Sequence, residues 1–428
     1  MQYDSLYDVV IAGAGPAGST TAALLAQYGH SVLVLEREQF PRYHIGESLL
    51  PGTCAVLDLL GLSDQEMRAR FWDKDGASWY WGQEDQLWDV KFSELGFQRN
   101  GLHVVRSEFD RLLRDAAQQA GASIWHGYKV TSVSKDTYGV IYVQGEDTAR
   151  HPFTVQSRHF VDATGQATLL SASRKLKRYH PQLDHLAVWG YWTDVTSIDA
   201  HLPTQTLSAA FDTGWCWFIP LRNGTVSVGI VMQKKYIDAL RASGTRAYYL
   251  QCLQRNRIIT ELLKGATLLS HPIRLISDYS YEASSFTPEG YLLVGDAAAF
   301  IDPIFSQGVH LAVSAGEQAA IALHTALTGE KTVPEALAQY EAFYKRMFSR
   351  MRTFVLFFYS MNASRADYFW KAKALLPEAL ALNEREAFIA LISGQGELLS
   401  QHIHKHNHFT EERAQVLRQL TGQGPVLT

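Results

Sequence analysis

Cysteine is scarce in this chain. Cys54, Cys216 and Cys252 are the only three among 428 residues, an odd number with no Cys-x-x-Cys pair. That excludes a disulfide framework and a cysteine zinc site, no metal site of another kind is expected, and the count fits a reducing compartment. Long basic runs are also missing and the formal net charge is -4, so nucleic acid is not an expected partner. The most apolar late run, residues 354–359, falls far short of the roughly 20 residues that a spanning helix requires. No repeat period and no low-complexity linker divides the chain. Its opening residues enter a strand almost at once, which leaves no room for a signal peptide, and the expected location is the cytoplasm. Only 19% of residues are charged and 46% are hydrophobic, so the chain has enough apolar side chains for a large core and is not expected to be disordered. Its length suits one large domain or two to three ordinary ones.

The residues that are present form a dinucleotide site near the start. Residues 7–12 read as a buried strand running into Gly13-Ala14-Gly15-Pro16-Ala17-Gly18, and residues 19–28 continue as an Ala/Leu helix. A second strand, 31–35, ends at Glu36. A glycine turn between strand and helix lets a pyrophosphate approach the backbone, and Glu36 can accept from ribose hydroxyls. Much later, the apolar run 291–294 leads to Gly295-Asp296-Ala297-Ala298, then Asp302-Pro303-Ile304-Phe305-Ser306-Gln307-Gly308-Val309 and an Ala-rich helix. A helix start has unpaired N–H groups and a positive dipole end, which favour an anion. Segments 130–160 and 186–233 alternate apolar and polar residues and predict antiparallel sheet. The region from residue 334 on is helical by pattern. His402, His404, His406 and His408 read as a solvated or capping cluster in preference to a metal site.

Three motifs in order carry a resemblance. Arg37-Glu38-Gln39-Phe40-Pro41-Arg42 with Gly46-Glu47-Ser48, then Asp162-Ala163-Thr164-Gly165, then Gly295-Asp296 resemble the FAD-dependent aromatic hydroxylase superfamily. The resemblance covers roughly the first three-quarters of the chain. It implies one FAD held by Gly13, Gly15, Pro16, Ala17 and Gly18, by Glu36, Arg37, Arg42 and Ser48, and by Gly295, Asp296, Pro303, Gly308 and Val309. Arg106, opening the amphipathic run Arg106-Ser107-Glu108-Phe109-Asp110, would face the FAD; a solvated helix-end charge is the competing reading. The implied fold class is α/β: a Rossmann-like FAD-binding fold interleaved with a mainly antiparallel β-sheet substrate module, plus C-terminal helices. The expected core is 1–330, with FAD segments near 1–75, 103–170 and 271–330 and substrate segments near 76–102 and 171–270; a helical region, 331–428, follows.

Gly214-Trp215-Cys216-Trp217-Phe218-Ile219-Pro220 matches the W-x-W-x-I-P signature of flavin-dependent halogenases, and Lys74-Asp75-Gly76-Ala77 before Trp79-Tyr80-Trp81-Gly82 resembles their lysine segment. The chain is similar to that family. The resemblance implies FAD as FADH2, O2 and chloride or bromide as cofactors, and hypohalous acid as the oxidant. Lys74 would be catalytic. Trp215 and Trp217, with Ile219 and Pro220, would separate the flavin from the organic ring. Backbone N–H groups of Gln307 and Gly308 would hold the halide. Glu47, Asp75 and Asp278 are the nearest acidic candidates for tuning Lys74 or removing a proton. Phe305 stands where tryptophan halogenases look to carry a glutamate, which implies an electron-rich phenol or pyrrole, free or tethered to an acyl or peptidyl carrier protein. A separate NAD(P)H flavin reductase is the expected partner, since no second nucleotide motif is visible. An aromatic hydroxylase or a prenyl reductase on the same fold is the alternative.

Overall fold

A computed structural model describes residues 2–82, 86–95, 100–195, 204–277, 279–360, 363–376 and 381–396. Asp278 and the histidine cluster lie outside the described residues. The first sheet is built on Gln2–Ala12, whose Val9, Val10 and Ile11 are fully buried. Apolar residues on both faces are what a parallel strand covered by helices requires. Gln2–Ala12 is flanked in parallel by Val32–Glu36 and Pro152–Asp162, and Ser123–His126 and Leu292–Leu293 extend these two sides. Ile141–Glu146 and Lys129–Lys135 close the far edge antiparallel, so the hairpins expected over 130–160 belong to this sheet.

The second sheet runs Thr267–Leu268, His185–Thr193, Val226–Gln233, Gly214–Pro220, Gln205–Phe211, Gly76–Tyr80, Leu87–Lys91, with Arg274–Ser277 also on His185–Thr193. Every pairing is antiparallel except Gln205–Phe211 with Gly76–Tyr80. Its two faces bury different sets. Cys216 and Phe218 pack with the helices of residues 237–262, whereas Trp215, Trp217 and Ile219 join the main core. Strand alternation alone separates them.

The helix Gln307–Leu327 packs on Pro16–Gln27, and their close approach depends on small residues. A Cβ added at Gly316 would lie 2.6 Å from the Ala17 carbonyl oxygen, and Thr21 donates to the Gly316 carbonyl at 3.1 Å. The long helix Val333–Phe358 starts with a capping box, in which Thr332 and Glu335 exchange hydrogen bonds. It ends against the second sheet, where Phe358 stacks on Trp81 at 5.0 Å. Among the described residues, no helix is long and apolar enough to cross a membrane, and no three metal-ligating side chains converge. All three cysteines are buried and none forms a disulfide.

Candidate active site

A cavity of about 820 Å³ lies between the two sheets. Two helix starts face it, and neither carries a side-chain cap. One is Pro16–Gln27, presenting Gly15, Pro16 and Ala17; the other is Gln307–Leu327, presenting Ser306, Gly308 and Val309. Unsatisfied N–H groups and two positive dipole ends therefore point into one space. Gly13 has φ +105°, and a Cβ there would sit 2.3 Å from the Ala163 carbonyl oxygen, so only glycine fits. Gly18 and Gly295 do not line the cavity but close its walls. A Cβ on Gly18 would meet the Gly13 carbonyl oxygen at 2.0 Å; Gly295, at φ +57°, abuts Ala17 and Ala312. At Gly308 the backbone is ordinary helix, and the left-handed residue of that turn is Ser306, φ 57°.

Glu36 lines the cavity with both carboxylate oxygens already engaged: Ala14 N–H donates to one at 2.7 Å and Glu38 N–H to the other at 2.8 Å. Its first service is to fix the glycine turn. Arg37 sits at the rim and pairs with Glu38 at 3.2 Å. Arg106 is buried, contrary to a solvated helix end. It donates to Asp110 at 2.8 Å and 3.1 Å and to the Ile45 carbonyl at 2.6 Å, which ties the loop carrying Gly46, Glu47 and Ser48 to the helix Arg106–Gln119. Burial works to raise the Asp110 carboxyl, but the Arg106 and Arg42 guanidiniums outweigh it and hold the group below the usual range. Asp296 and Pro303 complete that wall.

Trp215 and Trp217 both line the cavity, their rings 6.1 Å apart. Trp217 lies flat over Gly229, where a Cβ would stand 2.1 Å from its ring, and its indole N–H donates to Ser227 at 3.2 Å. Trp215 donates to Tyr359 at 2.7 Å, and Tyr359 donates to Asp302 at 2.9 Å. Ile219 also faces the cavity, whereas Pro220 is outside its lining.

Lys74 ends the strand Trp72–Lys74 and is 1% exposed. It is outside the cavity lining, with its ammonium 5.6 Å from the Phe92 ring centre. Burial draws its pKa down to about 7, opposed only by Cys54 nearby. Asp75 turns away and pairs with Lys91 at 3.8 Å. Sequence reasoning missed His103 and Thr206. Burial first, and the Lys74 charge second, hold His103 neutral. A hydroxyl chain then reaches the cavity: Ser306 donates to Ser48 at 3.1 Å, Ser48 meets Thr206 at 2.7 Å, and Thr206 meets His103 at 3.0 Å. Nothing in the isolated residues signals this chain, since its members lie on four separate segments.

The Gln307 side chain does not face the cavity. Its amide donates to the Leu391 and Ile392 carbonyls at 3.4 Å and 3.1 Å, leaving only its backbone for a ligand. Phe305 is buried among Phe358, Phe354 and Trp79, with centres at 4.8, 5.1 and 6.3 Å. Trp79 stacks in turn on Trp88 at 4.7 Å.

An α/β fold with a glycine turn, two uncapped helix starts and a long cavity between sheets is the arrangement of a dinucleotide-binding protein. The comparisons sharpen the class. The family model described as tryptophan halogenase matches residues 8–106 and 98–419. A tryptophan 2-halogenase of Chondromyces crocatus is 34% identical over 408 residues, spanning 93% of this chain and 77% of that protein. The flavin-dependent halogenase rdc2 of Metacordyceps chlamydosporia is 35% identical over 353 residues, 77% of this chain and 66% of its own. The structure of the myxobacterial chondrochloren halogenase CndH, an FAD-dependent halogenase, superposes with a TM-score of 0.80 at 33% identity, covering 98% of this chain and 97% of that one. The chain belongs to the tryptophan halogenase family and is a flavin-dependent halogenase, using FAD, halide and O2 and relying on a separate flavin reductase. The residues present fit FAD: two bare helix starts and the Gly13–Gly15 turn suit the pyrophosphate, and the cavity continues to Trp217.

Proposed function

We propose that this enzyme halogenates an electron-rich phenol or pyrrole ring and that Lys74 carries the halogenating step. The observation that carries this reading is a buried lysine beside an aromatic wall with Phe305, and no acid, at the loop position. A ring that is already activated needs no general base there. Bound reduced FAD supplies the electrons with which O2 oxidises the halide. The remaining work belongs to side chains of this chain. Gly13, Gly15, Pro16 and Ala17 would seat the pyrophosphate, with Gly18 packed behind them to allow the tight turn, and Glu36, Arg37, Arg42, Ser48 and Arg106 would orient the cofactor. Gly295, Asp296, Pro303 and Val309 would close the wall beside the ring system. The Gln307 and Gly308 N–H groups would hold the halide at a positive helix end. Trp215, Trp217 and Ile219, on the strand that Pro220 ends, would keep the organic ring away from the flavin, so that only hypohalous acid passes. Lys74, near pH 7 divided between amine and ammonium, would receive it.

We read residues 1–330 as the catalytic core and 331–428 as a helical region that covers the substrate side; delivery on a carrier protein is part of the same proposal. Incubation with reduced FAD, O2 and bromide against a panel of phenols and pyrroles, free and carrier-bound, tests it by product mass. A gain of bromine on these rings is expected. A gain of oxygen alone, or bromination confined to indoles, would overturn the substrate reading. Bromide-soaked crystals should show anomalous density at the Gln307–Gly308 turn, and its absence there with density elsewhere by the cavity would remove the halide site.

A further inference from the structure

Behind the tryptophan pair lies a polar chain that the roles above leave unused. Trp189 N–H donates to the Tyr43 oxygen at 2.6 Å, Tyr43 lies 2.8 Å from Tyr191, and Tyr191 donates to Glu47 Oε1 at 2.8 Å. An indole N–H can only donate. With Tyr43 accepting from Trp189, its own O–H is left for Tyr191, whose O–H goes to Glu47. On the other side Trp217 donates to Ser227, whose hydroxyl lies against Glu47. Two donor chains, each begun by an indole, thus converge on one carboxylate that borders the cavity and is 4% exposed. Glu47 Oε2 has no hydrogen-bond partner among the described residues. Tyr43, at the far end, is exposed and lies under the Arg274 guanidinium at 3.6 Å.

The established reaction consumes a proton. One FADH2, one O2, one halide and one proton become FAD, one hypohalous acid and one water. The halide loses two electrons, FADH2 loses two, and O2 accepts all four. Halide brings a negative charge and no hydrogen, so the missing proton must come from outside that set.

We propose that Glu47 is the resident acid for halide oxidation, refilled from solvent through Tyr43 and Tyr191. The O–H bond on Glu47 breaks as an O–H bond forms on the oxygen that departs as water. Tyr191 passes its proton to Glu47 Oε1 in concert with Tyr43 passing its own to Tyr191 and solvent restoring Tyr43, because desolvation holds both tyrosines in the protonated form. Charged and titratable groups facing the path are Arg106 from the helix Arg106–Gln119, Tyr191 from His185–Thr193, and Arg274 from the strand Arg274–Ser277. Burial lifts Glu47 to about 7, against the pull of the Ser227 and Tyr191 hydroxyls and of Arg106. At that value it can both give and regain a proton near neutrality.

The test needs no aromatic substrate, so it stands or falls apart from the proposed ring chemistry. First, infrared titration of the flavin-free protein should show a neutral carboxyl band that fades around pH 7 and is missing in Glu47→Gln. In Tyr191→Phe the same band should persist to higher pH, because the ionised form has lost a donor. Second, hypobromous acid is trapped with monochlorodimedone while reduced FAD, O2 and bromide are supplied. Glu47→Gln should slow its formation at least tenfold across pH 6–8 with FAD affinity unchanged, and Tyr191→Phe several-fold with an altered solvent deuterium effect. A band absent from the native protein at pH 5–8 would overturn the proposal. So would Glu47→Gln at the native rate and pH profile. If Glu47→Gln does not fold, Tyr191→Phe decides: an unmoved titration and unmoved rate reject the path.

Discussion

Lys74 and Glu47 are both ionisable side chains stripped of water, Glu47 bordering the cavity and Lys74 outside its lining. Loss of solvent pushes each toward its uncharged form, which lowers the lysine from 10.5 to about 7 and raises the glutamate from 4.5 to about 7. Their surroundings differ. Glu47 has two hydroxyl chains directed at it, whereas Lys74 lies by Phe92 and a neutral histidine. The contrast shows how one physical cause, desolvation, can prepare a nucleophilic amine and a proton donor at the same pH. It also shows that polar partners, and not burial alone, decide which group can exchange protons with its neighbours.

The largest expected break in this comparison is chemical. Lys74→Ala should lower halogenated product by roughly 10²–10⁴-fold, while reduced flavin is still oxidised and free hypohalous acid reaches a trap. Normal product formation by Lys74→Ala would take the lysine out of the mechanism. Next comes packing on the tryptophan wall of the cavity. Trp215→Ala should destabilise the fold by about 3–5 kcal/mol, and Trp215→Phe by much less; denaturant midpoints of the two variants check this. Equal midpoints would mean that the indole is not held in the core.

The two titrating groups should then leave opposite marks on stability. The unfolded chain keeps the Lys74 proton up to about 10.5 and the folded chain releases it near 7, so stability climbs with pH between those values. Lys74→Met should therefore be more stable than the native protein by on the order of 3–5 kcal/mol below pH 7, with the gain gone above pH 10.5. Glu47 has the reverse sign. The unfolded chain loses that proton near 4.5 and the folded chain near 7, so stability falls as pH rises through this window. Glu47→Gln should gain about 1–3 kcal/mol above pH 7 and nothing below pH 4.5. Urea melts at several pH values measure both, and parallel pH slopes for the native protein and Glu47→Gln would show that the carboxyl titrates normally.

Much of the glycine turn beside the cavity was legible from residues alone. Gly13, Gly15 and Gly18 sit where a strand turns into a helix, and backbone sterics there depend on local conformation. The tryptophan pair was legible for a similar reason, since a period of two places Trp215 and Trp217 on one face wherever the strand packs. Glu36 was found but its partners were not: it holds the turn through Ala14 and Glu38 before it can meet a ribose. Arg106 carried no sign in the sequence that Ile45, 61 residues away, would bury it.

What the sequence by itself determined is the cofactor turn, the two helix starts and the strand that carries the tryptophans, because neighbours in the chain fix φ, ψ and side-chain alternation. The tertiary structure alone decided the chemistry of Lys74 and Glu47. A pKa near 7 arises from removal of water and from partners such as Tyr191, 144 residues from Glu47, and long-range packing, which no local pattern encodes, brings those together.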